Sequence, residues 1–161
     1  MIEITLSFHE LYMASSIGAM RRLVSLKQGH QEKHGNDGSQ GWDDNIEGAC
    51  GECAFAKATN MYWDGSINRF SVGGDVGPNY QVRTLKEHWY DLLIRPGDPN
   101  DKPFILVTGR SGNYQVHGWA YAREAKQAKW REAKGGRDPA YWMPQSELHD
   151  LASLPVEGVP F

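Results

Sequence analysis

The sequence predicts an α+β fold, an α/β sandwich in which helices flank a central mixed sheet of four to five strands. The chain has 161 residues, which fits one domain with one core. Two stretches of helical periodicity come first, and short apolar or alternating segments bounded by Gly and Pro follow them. We therefore expect residues 1–161 to form a single domain, with residues 30–45 as a mobile loop and residues 146–161 as a poorly structured tail.

The first helix is predicted by its start and stop signals. Ser7 and Glu10 fit a capping box, in which the two side chains satisfy amides at the helix start, and Gly29 is a typical stop residue. The periodicity predicts one apolar face for burial. The residues of that face are Leu11, Ala14, Ser15, Gly18, Leu23 and Leu26.

The second helix is predicted over residues 46–63. Many of its side chains are small, among them Ala49, Cys53 and Ala56, so we expect this helix to pack close to its neighbours. Asp64 and Gly65 form a turn signal that ends it.

The remainder of the chain predicts strands and one more helix. The expected strands are 67–72, 80–84, 90–95, the run that begins at Phe104, and 114–122. The run "FILVTG" is apolar throughout and bounded by Pro and Gly, which is typical of a buried central strand. Residues 123–136, "REAKQAKWREAKGG", are charged and favour a helix.

Charge and cysteine content limit the class of protein. The net charge of −3 argues against wholesale electrostatic capture of nucleic acid, although Lys and Arg are concentrated after residue 80. Cys50 and Cys53 form a C-x-x-C pair, which is compatible with redox chemistry or zinc. A zinc site needs two further ligands at a matching spacing, so we expect reduced, structural cysteines, with a redox protein as the alternative.

The chain has no basic segment followed by an apolar run at its start, and no apolar run approaches ~18 residues. We therefore expect a cytoplasmic protein without a membrane partner.

Four residues form a candidate phosphodiesterase site. Glu52 lies on the second predicted helix, Asp75 lies in the glycine-rich turn "GGDVGPN", and Gln81 and Arg83 share one face of the next strand. Phosphodiester cleavage needs charge neutralisation and a hydroxide-like nucleophile, and Mg²⁺ supplies both. Mg²⁺ takes oxygen ligands and keeps several waters, so a few carboxylates suffice.

This arrangement resembles the PD-(D/E)XK nuclease superfamily over roughly residues 46–122. There, an Asp at the sheet edge and a Glu on the adjacent strand hold a divalent ion, often joined by a helical Glu, and a Lys two residues after the strand Glu steers water. The resemblance implies a restriction-endonuclease-like fold, with Glu52, Asp75 and Gln81 as ligands of Mg²⁺ or Mn²⁺. Gln81 stands in place of Glu, and Arg83 stands in place of Lys and acts as a phosphate clamp.

The string "QVRT…HWYDLLIR…PFILVTG…YQVHGWAYAREAK" also resembles small uncharacterised proteins encoded by bacteriophages and prophages. The resemblance to the nuclease superfamily implies a Mg²⁺-dependent nuclease-like protein that acts on DNA, with Glu52, Asp75, Gln81 and Arg83 in the catalytic site. The alternative is a catalytically inactive module of the same fold that binds nucleic acid or a protein partner.

Further residues are candidates for contact with DNA. His88 stands near the expected site, and the basic segment 122–137 carries Lys126, Lys129 and Lys134 on a predicted helix. A solvated helix laced with ion pairs is the alternative for that segment. A homodimer is compatible with the sequence.

Overall fold

A computed structural model describes residues 1–29, 41–67 and 74–155, and these form two layers of helix and sheet with a smaller sheet alongside. The helices are α1 (Phe8–Lys27), α2 (Gly41–Thr59) and α3 (Ala122–Ala125). The strands are β1 (Ile2–Thr5), β2 (Gln81–Leu85), β3 (Leu92–Ile94), β4 (Pro103–Arg110), β5 (Asn113–Tyr121), β6 (Arg131–Glu132) and β7 (Ala140–Met143). No helix in these ranges is both long and apolar enough to cross a membrane.

The main sheet has four strands in the order β1-β5-β4-β2, with β2 parallel to β4 and the other pairs antiparallel. This confirms the predicted α+β fold with a central mixed sheet. Strand β3 was expected in that sheet, but it pairs with β7 in a separate antiparallel sheet of order β3-β7-β6. Strand β3 instead lies against one face of β4, where Leu92 and Ile94 pack with Phe104 and Leu106.

Strand β4 organises the core, because every residue from Pro103 to Gly109 is buried. Its side chains alternate between two faces. Ile105 and Val107 pack in one hydrophobic cluster with residues of α2, and Phe104 and Leu106 pack in a second cluster with residues of β3 and β7. The prediction of a buried central strand beginning at Phe104 is confirmed.

Helix α1 begins as predicted, with the Ser7 hydroxyl accepting from the Glu10 amide and the Glu10 carboxylate accepting from the Ser7 amide. The predicted buried face is only partly right. Ala14 and Gly18 are buried, but Leu23 and Leu26 are about half exposed. Leu23 lies five residues past Gly18, which places it on the far side of a helix with 3.6 residues per turn.

Helix α2 is displaced towards the amino terminus relative to the predicted 46–63. It begins at Gly41, within the expected loop, and ends at Thr59, where Asn60 adopts a positive φ of 55°. The expected close packing is confirmed, because a Cβ added to Gly18 of α1 would lie 2.5 Å from the Asn45 carbonyl oxygen of α2. Residues 30–40 of the expected loop and residues 68–72 of the expected first strand lie outside the described part of the chain.

The predicted helix over 123–136 is wrong. Only Ala122–Ala125 is α-helical, and a 3₁₀ turn (Ala128–Trp130) and strand β6 follow it. Lys126 leaves helical geometry with ψ 55°, and its ammonium group donates to the Asp98 carbonyl at 2.5 Å and to Asn100 Oδ1 at 2.7 Å. These tertiary contacts outweigh a helical propensity that contributes only tenths of a kcal/mol per residue.

The carboxyl-terminal segment up to residue 155 is more ordered than its composition predicts. It contains 3₁₀ turns at Gln145–Glu147 and Leu151–Ser153, and the Trp119 indole donates to the Asp150 carbonyl at 3.1 Å. Residues 156–161 of the expected poorly structured tail lie outside the described residues.

We expect Gly18→Ala to destabilise the protein by about 1–3 kcal/mol, because the new methyl group forces the α1 and α2 backbones apart. Gly48→Ala is the matched control, since an added Cβ at this helical position would meet no atom within 4 Å. It should be neutral or stabilise the protein slightly through helix propensity. Urea unfolding of both variants measures the difference, and equal effects would contradict the close packing of α1 on α2.

Candidate functional site

Asp75 is held in a tight hairpin directly before β2. Its amide donates to the Tyr80 carbonyl at 2.7 Å, and one carboxylate oxygen accepts from the Val82 amide at 2.8 Å. The neighbouring Gly74 leaves no room for a side chain, since a Cβ would lie 2.4 Å from the Tyr80 nitrogen. The turn therefore fixes the Asp75 carboxylate at the start of the strand that carries Gln81 and Arg83.

Glu52 of α2 is buried, with 6% of its surface exposed, and its carboxylate is fully engaged. Arg21 of α1 donates through both terminal nitrogens, at 2.6 and 2.8 Å, and the Trp63 indole donates to the same carboxylate at 2.9 Å. Arg21 is itself held by the Ser66 carbonyl, which accepts from its Nε at 2.9 Å. Bidentate pairing of this kind is the strongest form of charge-assisted hydrogen bond between side chains.

Glu52 and Asp75 are electrostatic neighbours. Desolvation raises the pKa of Glu52 against the lowering effect of Arg21, and the negative charge of Asp75 raises it further. Desolvation also raises the pKa of Asp75, while the Val82 amide and the charges of Arg83 and Arg21 oppose that rise. For Arg21, desolvation is outweighed by the hydrogen bonds and charge of Glu52, so its pKa is raised. Arg21 and Asp75 both line a cavity of about 200 Å³.

Strand β2 presents its side chains as the alternation predicts. Val82 is buried, and Gln81 and Arg83 are half-buried on the other face. The Arg83 guanidinium donates to Asp98 at 2.8 Å and lies 4.8 Å above the centre of the Phe104 ring. Because Asp98 also accepts from the Arg95 amide at 2.8 Å, Arg83 is anchored to the turn that follows β3.

The residues predicted to hold Mg²⁺ do not fit a divalent ion as they are placed. Within the described ranges, no three or more His, Cys, Asp and Glu side chains are grouped so that they could hold a metal. Both Glu52 oxygens accept hydrogen bonds from Arg21, which already supplies the positive charge that a cation would supply. The metal role of Glu52, Asp75 and Gln81 stays a prediction.

His88 lies in a small polar network on β4 and β5. Its Nδ1 is 3.0 Å from the Thr108 hydroxyl, and the same hydroxyl is 2.7 Å from Nε2 of His117. Burial lowers the pKa of His117, and the neighbouring His88 lowers it further. The network occupies His88 with a structural contact, and its predicted contact with DNA stays a prediction.

The three lysines of the basic segment are also held by local contacts. Lys126 is bound to the Asp98 carbonyl and to Asn100, as described above. The Lys129 ammonium lies 4.3 Å from the centre of the Trp130 ring, and Lys134 lies 4.3 Å from the centre of the Trp142 ring and 3.5 Å from Glu132. None of the three lines a described cavity beside Asp75.

A second, larger cavity lies beside β2, and we call it the arginine cleft. Its volume is about 580 Å³. Five cationic residues from β2, β4 and the loops that follow β2, β3 and β6 line it: Arg83, Lys86, Arg95, Arg110 and Arg137. Three acidic residues of α2 line it as well: Asp43, Asp44 and Glu47. No sequence motif marks this cleft, because its residues come from separate elements.

The positive charges in the arginine cleft repel one another. The pKa of Arg95 is lowered by desolvation first and then by the positive charge of Arg83, while Asp98 opposes the shift and Arg137 adds to it. Glu47 is engaged, since it accepts from the Ser111 amide at 3.0 Å and from the Tyr114 hydroxyl at 2.5 Å. An anion placed among the arginines would relieve their mutual repulsion.

Comparison with known proteins gives no match to a family model, to a curated protein or to a solved structure. The functional argument for this chain therefore depends on its own residues.

Cys50 and Cys53 are both buried and unpaired, as expected for structural cysteines. Desolvation raises the pKa of each thiol to about 11. Since the thiolate is the reactive form, thiols of this kind are inert at neutral pH.

We expect neither cysteine to react with Ellman's reagent at pH 7.5 in the folded protein, and both to react after unfolding in guanidinium chloride. Ser146→Cys, which adds a cysteine at an exposed position, is the positive control. Rapid native reaction of Cys50 or Cys53 would instead favour the redox alternative.

Asp75→Asn should keep or increase the stability of the protein at pH 7, whereas Asp75→Ala should cost about 1–3 kcal/mol. Asn still accepts from the Val82 amide, but Ala leaves that amide unsatisfied. The pKa of Asp75 is raised in the folded state, so the protonated carboxyl group stabilises the fold relative to the ionised one. This stabilisation is fully present below the unfolded pKa and is lost as pH rises through the folded pKa.

Urea unfolding of the wild type and both variants between pH 4 and pH 7 measures these effects. If Asn is as destabilising as Ala at pH 7, the ionised carboxylate itself stabilises the fold through Arg21 and Arg83.

Proposed function

We propose that the protein is a PD-(D/E)XK-like module that binds nucleic acid in the arginine cleft without cleaving it. The observation that carries the proposal is the group of cationic side chains that line a cavity of about 580 Å³. The mixed sheet with α2 packed against β2 and β4 is compatible with a restriction-endonuclease-like fold. Arg83 lies both in the cleft and beside Asp75, and an enzyme with a restriction-endonuclease-like fold would bind the scissile phosphate at this position.

Phosphate is the ligand chemistry that suits this cleft. Arginine presents a planar fork of donors that matches phosphate oxygens, and it is more weakly hydrated than lysine. The cleft is lined by five cations and three acids, and Asp98 pairs with one of the cations, Arg83, so a small positive excess remains there although the whole chain carries a net charge of −3. Phosphate contacts made by such cations bind without reading sequence.

The absence of cleavage follows from three residues. Arg21 neutralises Glu52 through two short hydrogen bonds. Gln81 offers a neutral amide where the family has a carboxylate, and Arg83 remains protonated and cannot take a proton from water. Together these features leave phosphate binding in place and remove the groups that would activate a nucleophile. The proposed setting is the cytoplasm, of the host cell if the chain is phage-encoded.

We expect the double variant Arg95→Gln/Arg110→Gln to weaken binding to duplex DNA at least tenfold. If both arginines contact phosphates, the slope of log affinity against log salt should fall by roughly 2. Fluorescence anisotropy with a labelled oligonucleotide at several salt concentrations measures both quantities. The matched control is Lys129→Gln/Lys134→Gln, which removes the same charge outside the cleft.

The two double variants separate the cleft from the basic segment. Loss of affinity in the lysine variant alone would assign DNA contact to residues 122–137 and contradict a role for the cleft. Unchanged affinity and salt slope in the arginine variant would also contradict a role for the cleft in binding DNA. If the wild type binds no DNA or RNA at low salt, the nucleic-acid proposal fails altogether.

A Mg²⁺-dependent nuclease is the second candidate. It is favoured by the proximity of two carboxyl groups, since Asp75 raises the pKa of Glu52 within the same buried cluster. The test combines calorimetric titration with Mg²⁺ and Mn²⁺ and incubation with single-stranded, duplex and branched DNA. Metal-dependent cleavage that disappears in Asp75→Ala would contradict the proposal that the protein binds nucleic acid without cleaving it. Cleavage that survives in that variant would point to a contaminating enzyme.

A further inference from the structure

The outward side of α1 carries a stripe of large hydrophobic residues, which we call the outer apolar face. Their exposed fractions lie between 46% and 76%. The residues are Phe8, Tyr12, Met13, Met20, Leu23 and Leu26. With 3.6 residues per turn, all six fall within an arc of about 140°. The helix thus turns its larger apolar side chains away from its own core, where Ala14 and Gly18 are buried instead.

This face carries no charge between Tyr12 and Met20, and the exposed His9 and Lys27 lie at its two ends. Between Leu11 and Leu26 the only charged residues are Arg21 and Arg22, and Arg21 binds Glu52 while Arg22 is buried. The two serines nearby donate their hydroxyl groups back to the Tyr12 carbonyl, at 3.1 Å for Ser15 and 2.7 Å for Ser16. Their donors are therefore satisfied within the helix and do not need water.

The size of the face matches an interface. Scaled by the surface of each side chain, the exposed fractions amount to roughly 700 Å², against about 800 Å² per partner in a standard protein–protein interface. A single exposed apolar side chain is ordinary, but a contiguous patch of this size on one element marks a surface that is covered by a partner.

The order of the residues points to the partner. The six side chains are arranged almost symmetrically about the middle of the helix, at Ile17. An antiparallel copy of α1 centred there brings Phe8 opposite Leu26, Tyr12 opposite Leu23, and Met13 opposite Met20. Each large residue then meets an apolar one, and the contact closes on itself as a two-fold interface requires. The helix dipoles also oppose each other in this arrangement.

We propose that the protein forms a two-fold dimer in which the outer apolar faces of two α1 helices pack antiparallel. The arginine cleft lies outside this interface, so each copy keeps its own cleft. The interface contains no ion pairs, and its stability should accordingly resist high salt.

Sedimentation over a concentration series tests the proposal. We expect the wild-type protein to be dimeric at roughly 10 µM, with an interface in the size range of specific complexes. Leu23→Glu should weaken self-association at least tenfold, because it places a charge in each half of the interface. Tyr62→Glu is the matched control, since Tyr62 is 83% exposed and lies outside α1. A wild type that stays monomeric at 200 µM, or a Leu23→Glu variant that dimerises like the wild type, would overturn the proposal.

Cysteine cross-linking tests the register independently and does not require a charged variant to fold. In the proposed dimer, Ser16→Cys lies about 3 Å along the axis from its own copy, whereas Leu26→Cys lies about 27 Å from its own copy, from a rise of 1.5 Å per residue. Mild oxidation should link the first variant and leave the second as single chains. Equal cross-linking of both variants, or none of Ser16→Cys, would overturn the antiparallel pairing.

Discussion

Strand β4 is buried on both faces, and each face needs its own cover. Helix α2 covers Ile105 and Val107, and strands β3 and β7 of the small sheet cover Phe104 and Leu106. The small sheet shares no strand pairing with the main sheet, so it covers β4 as a separate layer. The arginine cleft lies beside β2, where α2 and the segments around the small sheet line one cavity.

The pair of Arg21 and Glu52 joins α1 to α2 beneath the Asp75 turn. A buried charge pair is tolerated when its hydrogen bonds are complete, and here Trp63 and the Ser66 carbonyl complete them. The same pair occupies the inward side of α1, next to the small residues that let α1 approach α2 closely. The larger apolar side chains of α1 are consequently left on the outside, where the proposed dimer would cover them.

Much of the candidate site follows from local rules. The alternation of β2 predicts that Gln81 and Arg83 share a face, and the glycine-rich turn predicts where Asp75 lies. Arg21 and Trp63 are not predicted as partners of Glu52, since nothing in their local sequence distinguishes a buried ion pair from a surface charge. The arginine cleft has no sequence signal at all, because Arg83, Arg95, Arg110 and Arg137 meet only through the packing of two sheets.

The sequence by itself determined the mixed α+β class, the capped start of α1, the buried run of β4 and the structural cysteines, since capping, burial patterns and turn chemistry act over a few residues. Only the tertiary structure decided which sheet received β3, which side of α1 faced the core, and how far the helix after β5 extended. Those outcomes depend on competition between distant elements for the same surface. Strand pairing, or the hydrogen bond from Lys126 to the Asp98 carbonyl, contributes more free energy than the small differences in local propensity.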